Sequence, residues 1–535
     1  MSNNIKLTIL AVVAIGLSSC DDFLDRQPLD QITVENFYKN AEEVNLALVG
    51  SYAPMLDIDW TGKGWMITEI PSDNSQPGGT DPEFSPIDNF TVTADNPVIA
   101  AWWAKHYQQI GYANTILGKL ESSTTIDDAD RLAFDAEARF LRAVAYFDLV
   151  RIFGGVPLVT EPVEFGDELL LPRAEVDAIY ELIKADFAAG AEHLPLTRSG
   201  AAAGRATRGA AGAFLAKVLL TRREFVAARD QALEVINSGV YSLMPHYEDL
   251  FQLATSDNNQ ESIFQVQYAG CGPFGTGNPM QAFFAPWGEG ITKDRDGWGS
   301  QIPSSPIIST PNTTIVDAFE PGDLRKPVTV MTGGNYYPEI NAGDGGYTYP
   351  NSGASAGAAN IKKYVVGSGS NICFMSTPQN ASVYRYADLL LVYAEAILEN
   401  QGGVTVNQNA LDAFNAVRVR AGLEPVDQIS RESLLHERRV ELAFEGQRWY
   451  DLVRSGRMVE IMSIHGKNPA EHNVLFPIPS AELQINPNLV RSAGGKSGKA
   501  ASTRSCPDRC GVFAIQLSKG NRCSLSPPTP GPSTC

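Results

Sequence analysis

The chain has 535 residues, of which 44% are hydrophobic and 9% aromatic, and these values are typical of globular proteins. Its formal net charge at pH 7 is −19, whereas a protein that binds nucleic acid needs a basic face toward the phosphates, so we expect no nucleic-acid partner. The length alone allows several domains or one large domain.

Residues 1–19 have the layout of a secretory leader. An apolar run from Leu7 to Leu17 is too short to cross a membrane, which takes roughly 20 residues, and small residues precede Cys20. Cleavage before Cys20 would leave this cysteine as a lipidated N-terminus that anchors the following chain to a membrane. The alternative is an ordinary secretory leader with an incidental cysteine.

Helical periodicity dominates the N-terminal half of the body, residues 20–250. The predicted helices are Thr33–Leu56, a helix that starts near Val98, Asp127–Phe153, Arg173–Gly190 and a helical pair over Thr207–Gly239. Between the first two, Trp60–Pro97 is rich in Gly, Pro, Asp and Asn and shows no sustained period. We predict a loop there with at most short pieces of structure, and ordered loops of this length often carry function.

The C-terminal half, residues 251–490, begins with a second irregular region, Phe251–Cys373. It is dense in Gly, Pro, Asn, Ser and aromatic residues, and its pattern predicts no long helix, although Ser262–Tyr268 alternates like a strand. A second helical pair follows over Tyr384–Gly422. Leu434–Met458 then predicts one long amphipathic helix, whose charges of both signs could dock on other helices.

The distribution of cysteines differs between the body and the C-terminal tail. Cys271 and Cys373 are isolated, so we expect no disulfide framework in the body, whereas four cysteines lie in residues 491–535. This tail has seven Lys or Arg and one Asp, a net of +6, and it is a frameshift, a fusion or a genuine extension outside the fold. Its C-x3-C spacing is a weak metal signal without a nearby His, and we expect no metal and no cofactor in the protein.

Four segments resemble the SusD/RagB family of nutrient-binding outer-membrane lipoproteins. They read ERRVELAFEGQRWYDLVRSGR, RFLRAVAYFDLVRIFGGVPLV, WAKHYQQIGYANTIL and, at Asn473–Leu489, NVLFPIPSAELQINPNL. The resemblance runs from Cys20 to about Leu489, in the family's order. It implies a mainly α fold of tetratricopeptide-like hairpins with a large loop-rich excursion, all in one body over residues 20–490.

The same resemblance implies a function without chemistry. The protein would be lipid-anchored at the outer-membrane surface, capture oligosaccharides and deliver them to a SusC-like TonB-dependent transporter. Two alternatives stay open: a peptide-binding member of the family, and a surface glycoside hydrolase. Nucleophile, paired-histidine and phosphate-loop motifs are absent from the sequence, but sequence spacing cannot exclude two carboxylates across a cleft.

Tryptophan supplies the candidate binding residues. An indole can stack on the apolar face of a sugar ring while neighbouring polar groups bind its hydroxyls. The alternative is that these rings only pin long loops to the scaffold. From their positions in or beside the two irregular regions, we predict as ligand contacts Asp73, Asn74, Asn96, Trp102, Trp287 and Trp298.

Overall fold

The N-terminal half consists mainly of helices, four of which begin at a side chain that accepts a backbone N–H. The computed structural model describes residues 37–78, 82–163, 170–272, 276–286, 291, 300–301, 314–351, 359–369, 371–373 and 375–490. The elements of this half are α1 (Ala41–Gly50), α2 (Ala53–Leu56), α3 (Gly62–Glu69), β1 (Gln76–Pro77), α4 (Ser85–Asp88), α5 (Pro97–Ser122), α6 (Asp128–Phe153), α7 (Val176–His193), α8 (Arg208–Thr221) and α9 (Phe225–Asn237). Asn40, Asn96, Asp127 and Thr207 cap α1, α5, α6 and α8.

The C-terminal half alternates short strands and helices before it returns to long helices. Its elements are β2 (Ser262–Val266), α10 (Met280–Phe284), β3 (Ser300–Gln301), α11 (Ile315–Ala318), α12 (Lys326–Thr329), β4 (Val330–Met331), β5 (Tyr336–Tyr337), β6 (Tyr347–Thr348), β7 (Asn360–Ile361), β8 (Ala381–Arg385), α13 (Tyr386–Asn400), β9 (Val404–Thr405), α14 (Gln408–Arg420), β10 (Ile429–Ser430), α15 (Arg431–Glu441), α16 (Arg448–Arg454), α17 (Met458–Ile464) and α18 (Ser480–Ile485). Single 3-10 turns occur at Gly200–Ala202, Tyr247–Leu250, Ala342–Asp344, Glu471–Val474 and Pro487–Val490.

The long helices stack side by side in one row. Helices α5, α6, α7, α8 and α9 each pack on the next, α9 packs on α13, and α13 packs on α14. Small residues bring the backbones together, since a Cβ on Gly190 of α7 would stand 2.7 Å from the Cβ of Ala211 on α8. The mainly α fold with tetratricopeptide-like hairpins is therefore confirmed, and the helical pairs lie where the periodicity predicts them.

The second irregular region is inserted between α9 and α13 of this row. Strand β2 pairs antiparallel with β8, so the excursion leaves and returns through one two-stranded sheet. Among the described residues between these strands, the helices have four or five residues. The prediction of a strand at Ser262 is confirmed, and the described residues of this region contain no long helix.

A disulfide joins Cys271 to Cys373, with their Cα atoms 5.4 Å apart. The sequence predicts no disulfide framework in the body, and for these two cysteines that prediction is wrong. They are 102 residues apart in the chain, and the pairing of β2 with β8 brings the two ends of the excursion together. Spacing along the sequence cannot show such a contact.

The single helix predicted for Leu434–Met458 is also wrong. Helix α15 ends at Glu441, and α16 starts at Arg448 after a turn in which Phe444 and Gly446 have positive φ angles of 63° and 70°. The charges of this stretch do contact other helices, since Arg438 pairs with Asp388 of α13 at 2.8 Å. No helix in the described part of the chain is both long and apolar enough to cross a membrane.

Candidate functional site

The two irregular regions, Trp60–Pro97 and Phe251–Cys373, meet at one place that we call the junction. Strand β1 pairs antiparallel with β3, with Gln76 opposite Gln301. Helix α3 packs on α10 at the same place, where a Cβ on Gly62 would stand 2.6 Å from Cε2 of Phe283. Two stretches more than 200 residues apart in the sequence therefore form one continuous surface beside the helical row.

Aromatic rings form the floor of the junction. The ring of Trp60 stacks on His106, with centroids 3.6 Å apart, and the ring of Trp102 packs on the same histidine at 3.9 Å. His106 also bonds through Nδ1 to the carbonyl of Trp102 at 2.7 Å and through Nε2 to Asp148 at 3.3 Å. Trp102 is only 2% exposed, so its indole supports the loop more than it faces solvent.

Two of the predicted contacts, Asp73 and Asn74, are bound to arginines of α15 and α16. The carboxylate of Asp73 accepts hydrogen bonds from Arg448 at 2.7 and 2.9 Å and pairs with Arg439 at 3.1 Å. Arg439 Nε also donates to the side-chain oxygen of Asn74 at 2.9 Å. Although burial opposes ionisation, the two guanidinium groups hold the pKa of Asp73 well below its usual value.

The third, Asn96, is the N-cap of α5. Its side-chain oxygen accepts from the backbone N–H groups of Val98 at 3.0 Å and Ile99 at 3.2 Å, and its amide donates to the carbonyl of Glu83 at 2.8 Å. These contacts correct the sequence interpretation of Asp73, Asn74 and Asn96. Their side chains are buried and hold the first irregular region in place, so a glycan could not contact them without local unfolding.

The remaining predicted positions, Trp287, Trp298 and Cys20, lie outside the described residues. Trp287 and Trp298 therefore stay predictions as ligand contacts, and Cys20 stays a prediction as the lipidation site. The structure does show that the region carrying both tryptophans is joined to the first irregular region at β1 and β3.

A small cavity of about 70 Å³ lies beneath the junction. Its lining includes Trp60, Trp65, Trp102, Asp148, Arg151, Lys217, Gln447 and Tyr450. Burial lowers the pKa of Lys217 to about 8, and its ammonium pairs with Asp388 at 2.5 Å. The cavity is far below the roughly 300 Å³ of ordinary ligand pockets, so it suits ordered water and not a sugar chain.

The turn between α15 and α16 anchors the junction from behind. The N–H of Gly446 donates to Glu69 of α3 at 2.6 Å, and burial raises the pKa of this glutamate to about 8. Lys363 of the second irregular region donates to Glu445 at 2.8 Å and to the carbonyl of Ala443 at 2.9 Å. These contacts were not predicted. The one feature of the sequence that indicates them is the density of charged residues in Leu434–Met458.

In the ranges that the structure covers, no three His, Cys, Asp or Glu side chains are grouped so that they could hold a metal ion. The arrangement offers aromatic and polar surface for binding.

Both halves of the chain match family models of known proteins. Residues 260–494 match a family model described as the SusD family, and residues 22–220 match one described as starch-binding and associating with the outer membrane. A SusD-like protein of Bacteroides ovatus is 30% identical over 469 residues, which cover 84% of this chain and 82% of that protein. SusD-like protein P2 of Formosa agariphila is 29% identical over 527 residues, covering 92% and 99%.

Solved structures agree with the sequence relatives. A laminarin-binding SusD-like protein is 29% identical with a TM-score of 0.71, and the match covers 85% of this chain and all of that one. A structure determined with xylogluco-oligosaccharide is 26% identical with a TM-score of 0.72, and the match covers 83% of this chain and 97% of that one.

Proposed function

Because this chain belongs to the SusD family, we propose that it is a glycan-binding protein of the cell surface that captures oligosaccharides and does not cleave them. The resemblance seen in the four sequence segments is confirmed by these relatives. Two similar solved proteins are described as binding laminarin and as holding xylogluco-oligosaccharide. Both are more than 25% identical to this chain and share its fold along nearly their whole lengths.

The observation that carries the proposal is the pairing of β1 with β3. It joins the two regions in which the sequence places its loop tryptophans, and it does so on one side of a rigid helical row. A preformed platform of this kind can stack one face of a sugar ring on an indole while amides and carboxylates bind the hydroxyls. We therefore propose Trp287 and Trp298 as the residues that stack on a sugar ring.

We further propose that acyl chains on Cys20 anchor the protein to the outer membrane and that its partner there is a SusC-like TonB-dependent transporter. Support comes from the leader pattern before Cys20 and from the family model described as associating with the outer membrane. In this arrangement the protein holds a glycan at the surface and passes it to the channel without altering it. Labelling with radioactive palmitate tests the anchor, since Cys20→Ala should abolish incorporation.

Affinity electrophoresis tests the binding proposal. Purified protein should be retarded in gels that contain laminarin, xyloglucan or soluble starch, with dissociation constants of about micromolar to millimolar because only one sugar face is desolvated. Trp287→Ala and Trp298→Ala should each weaken retardation without changing thermal unfolding.

Chromatography of the glycan after incubation separates the alternatives. Unchanged glycan agrees with capture, whereas released sugars would identify a glycoside hydrolase. A protein that ignores every glycan but binds a peptide library would be the peptide-binding alternative.

A further inference from the structure

An exposed tyrosine stands on a hairpin of the second irregular region. Strand β5 pairs antiparallel with β6, with Tyr336 opposite Thr348 and Tyr337 opposite Tyr347. Because side chains alternate along a strand, Tyr336 and Thr348 share the outer face while Tyr337 points into the protein. Tyr336 is 56% exposed, and the only other aromatic side chain among the large exposed apolar residues of the described chain is Tyr112 on α5.

The ring of Tyr336 is held in one orientation despite this exposure. Its hydroxyl donates a hydrogen bond to the carbonyl of Gly345 at 2.9 Å. The ring also lies against the backbone of Gly346, where an added Cβ would stand 2.6 Å from Cε2 and 2.7 Å from Cζ. Gly346 has a φ of 86°, which also favours glycine. An aromatic ring that is fixed and still open to solvent is arranged to stack on a flat partner at little entropic cost.

The hairpin itself is tied to the core and to the junction. The ring of Tyr337 is buried, and its hydroxyl accepts from the N–H of Thr332 at 3.1 Å. Strand β4 lies five residues before Tyr336 and pairs with β7, which in turn contacts β3 of the junction. Five residues span at most about 17 Å, which limits the distance between the end of β4 and Tyr336.

From this geometry we infer that Tyr336 forms an outlying subsite that stacks on a sugar unit of a long neutral glycan whose main contacts are at the junction. The inference rests on the proposed glycan-binding function. Exposed side chains at the margin, Asn335, Asp344 and Thr348, can bind the hydroxyls of that unit. The carboxylate of Asp344, in the turn between β5 and β6, disfavours a sulfated or uronic acid unit because like charges repel.

Isothermal titration of the purified protein with laminarin, xyloglucan and soluble starch tests the subsite. Tyr336→Ala should weaken binding of the retained polysaccharide by about 3- to 10-fold, which is the range of one aromatic stacking contact. It should not change binding of the corresponding trisaccharide, which is too short to reach from the junction. Tyr336→Phe keeps the ring and should stay within about 2-fold of the wild-type affinity.

Two further variants separate ring position from ring presence. Gly346→Ala should displace the ring and weaken polysaccharide binding to the same extent as Tyr336→Ala, although the tyrosine remains. Tyr112→Ala removes a comparably exposed tyrosine (41%) from the scaffold and should leave binding unchanged. Equal affinity of wild type and Tyr336→Ala for a polysaccharide that the wild type binds would overturn the subsite alone. Failure of the wild type to bind any of the three would overturn the proposed function with it.

Discussion

Arg385 and Glu445 face each other inside the protein through two hydrogen bonds of 2.7 Å, although they are 60 residues apart in the chain. Arg385 ends β8 and also reaches Glu261 at 2.5 Å and Glu441 at 3.1 Å. It thereby ties the returning strand of the excursion to the residue before β2 and to the turn between α15 and α16. This cluster of buried charges fixes the excursion on the helical row.

Removing one partner from this cluster should be costly, because Glu261, Glu441 and Glu445 would each lose one of the cations that offset their burial. We expect Arg385→Met to lower the free energy of unfolding by about 3–5 kcal/mol, measured by urea denaturation. Arg457→Met is the matched control, since Arg457 pairs with Glu460 at the surface and should contribute less than about 1 kcal/mol. A similar loss of unfolding free energy in both variants would show that the buried cluster stabilises the protein no more than a surface ion pair does.

Glu69 should make stability depend on pH. Burial raises its pKa from 4.5 to about 8, so its contribution is fully present below pH 4.5 and is lost as pH rises through about 8. The free energy of unfolding should fall between pH 5 and 8 with a slope that approaches 1.4 kcal/mol per pH unit for this group. Glu69→Gln cannot ionise, so its unfolding free energy, measured by urea titration at pH 5, 6.5 and 8, should lack that part of the slope. Parallel curves for the two proteins would contradict the prediction.

The disulfide should stabilise the excursion by restricting the unfolded chain. Closing a loop of about 100 residues is worth up to ~5 kcal/mol in the chain-entropy model, and measured values are more often about 2–4 kcal/mol. We expect the double variant Cys271→Ser with Cys373→Ser to lose an amount in this range in urea denaturation. Mass spectrometry of a non-reduced digest should yield the linked peptides, and their absence would rule the bond out.

The helical row could be predicted from the sequence because each of its helices carries its own signal. Apolar residues recur at helical spacing in α5, α6 and α8, and Asn96, Asp127 and Thr207 stand where caps belong. The limits of the two irregular regions were also readable, since Gly, Pro and Asn interrupt the period there.

The contacts between distant residues could not be predicted in this way. Asp73 was chosen as a ligand contact because it lies in a polar loop, but Arg439 and Arg448, some 370 residues later, bury it. Arg438 lies in a stretch dense in charges of both signs, and its partners in the structure are Asp388 at 2.8 Å and Asp451 at 2.8 Å. Local spacing cannot show which of many charges a buried arginine meets, because burial and partner are both decided by the tertiary fold.

Gly64 tests whether Trp102 is a structural residue of the junction floor. A Cβ at Gly64 would stand 2.7 Å from Nε1 and 2.8 Å from Cδ1 of this indole, which also packs against His106. We expect Gly64→Ala to lower the free energy of unfolding by about 1–3 kcal/mol, the usual cost of overpacking. The measurement is urea denaturation, monitored by the change in tryptophan fluorescence.

Gly111 on α5 provides the control, because a Cβ there meets no atom within 4 Å. Gly111→Ala should therefore raise the free energy of unfolding by up to about 1 kcal/mol, since alanine is the better helix former. Opposite signs for the two glycines would show that the Trp102 ring is fixed by packing against α3. If Gly64→Ala were instead as stable as Gly111→Ala, the indole would have to be free to move outward, and Trp102 would return as a candidate glycan contact.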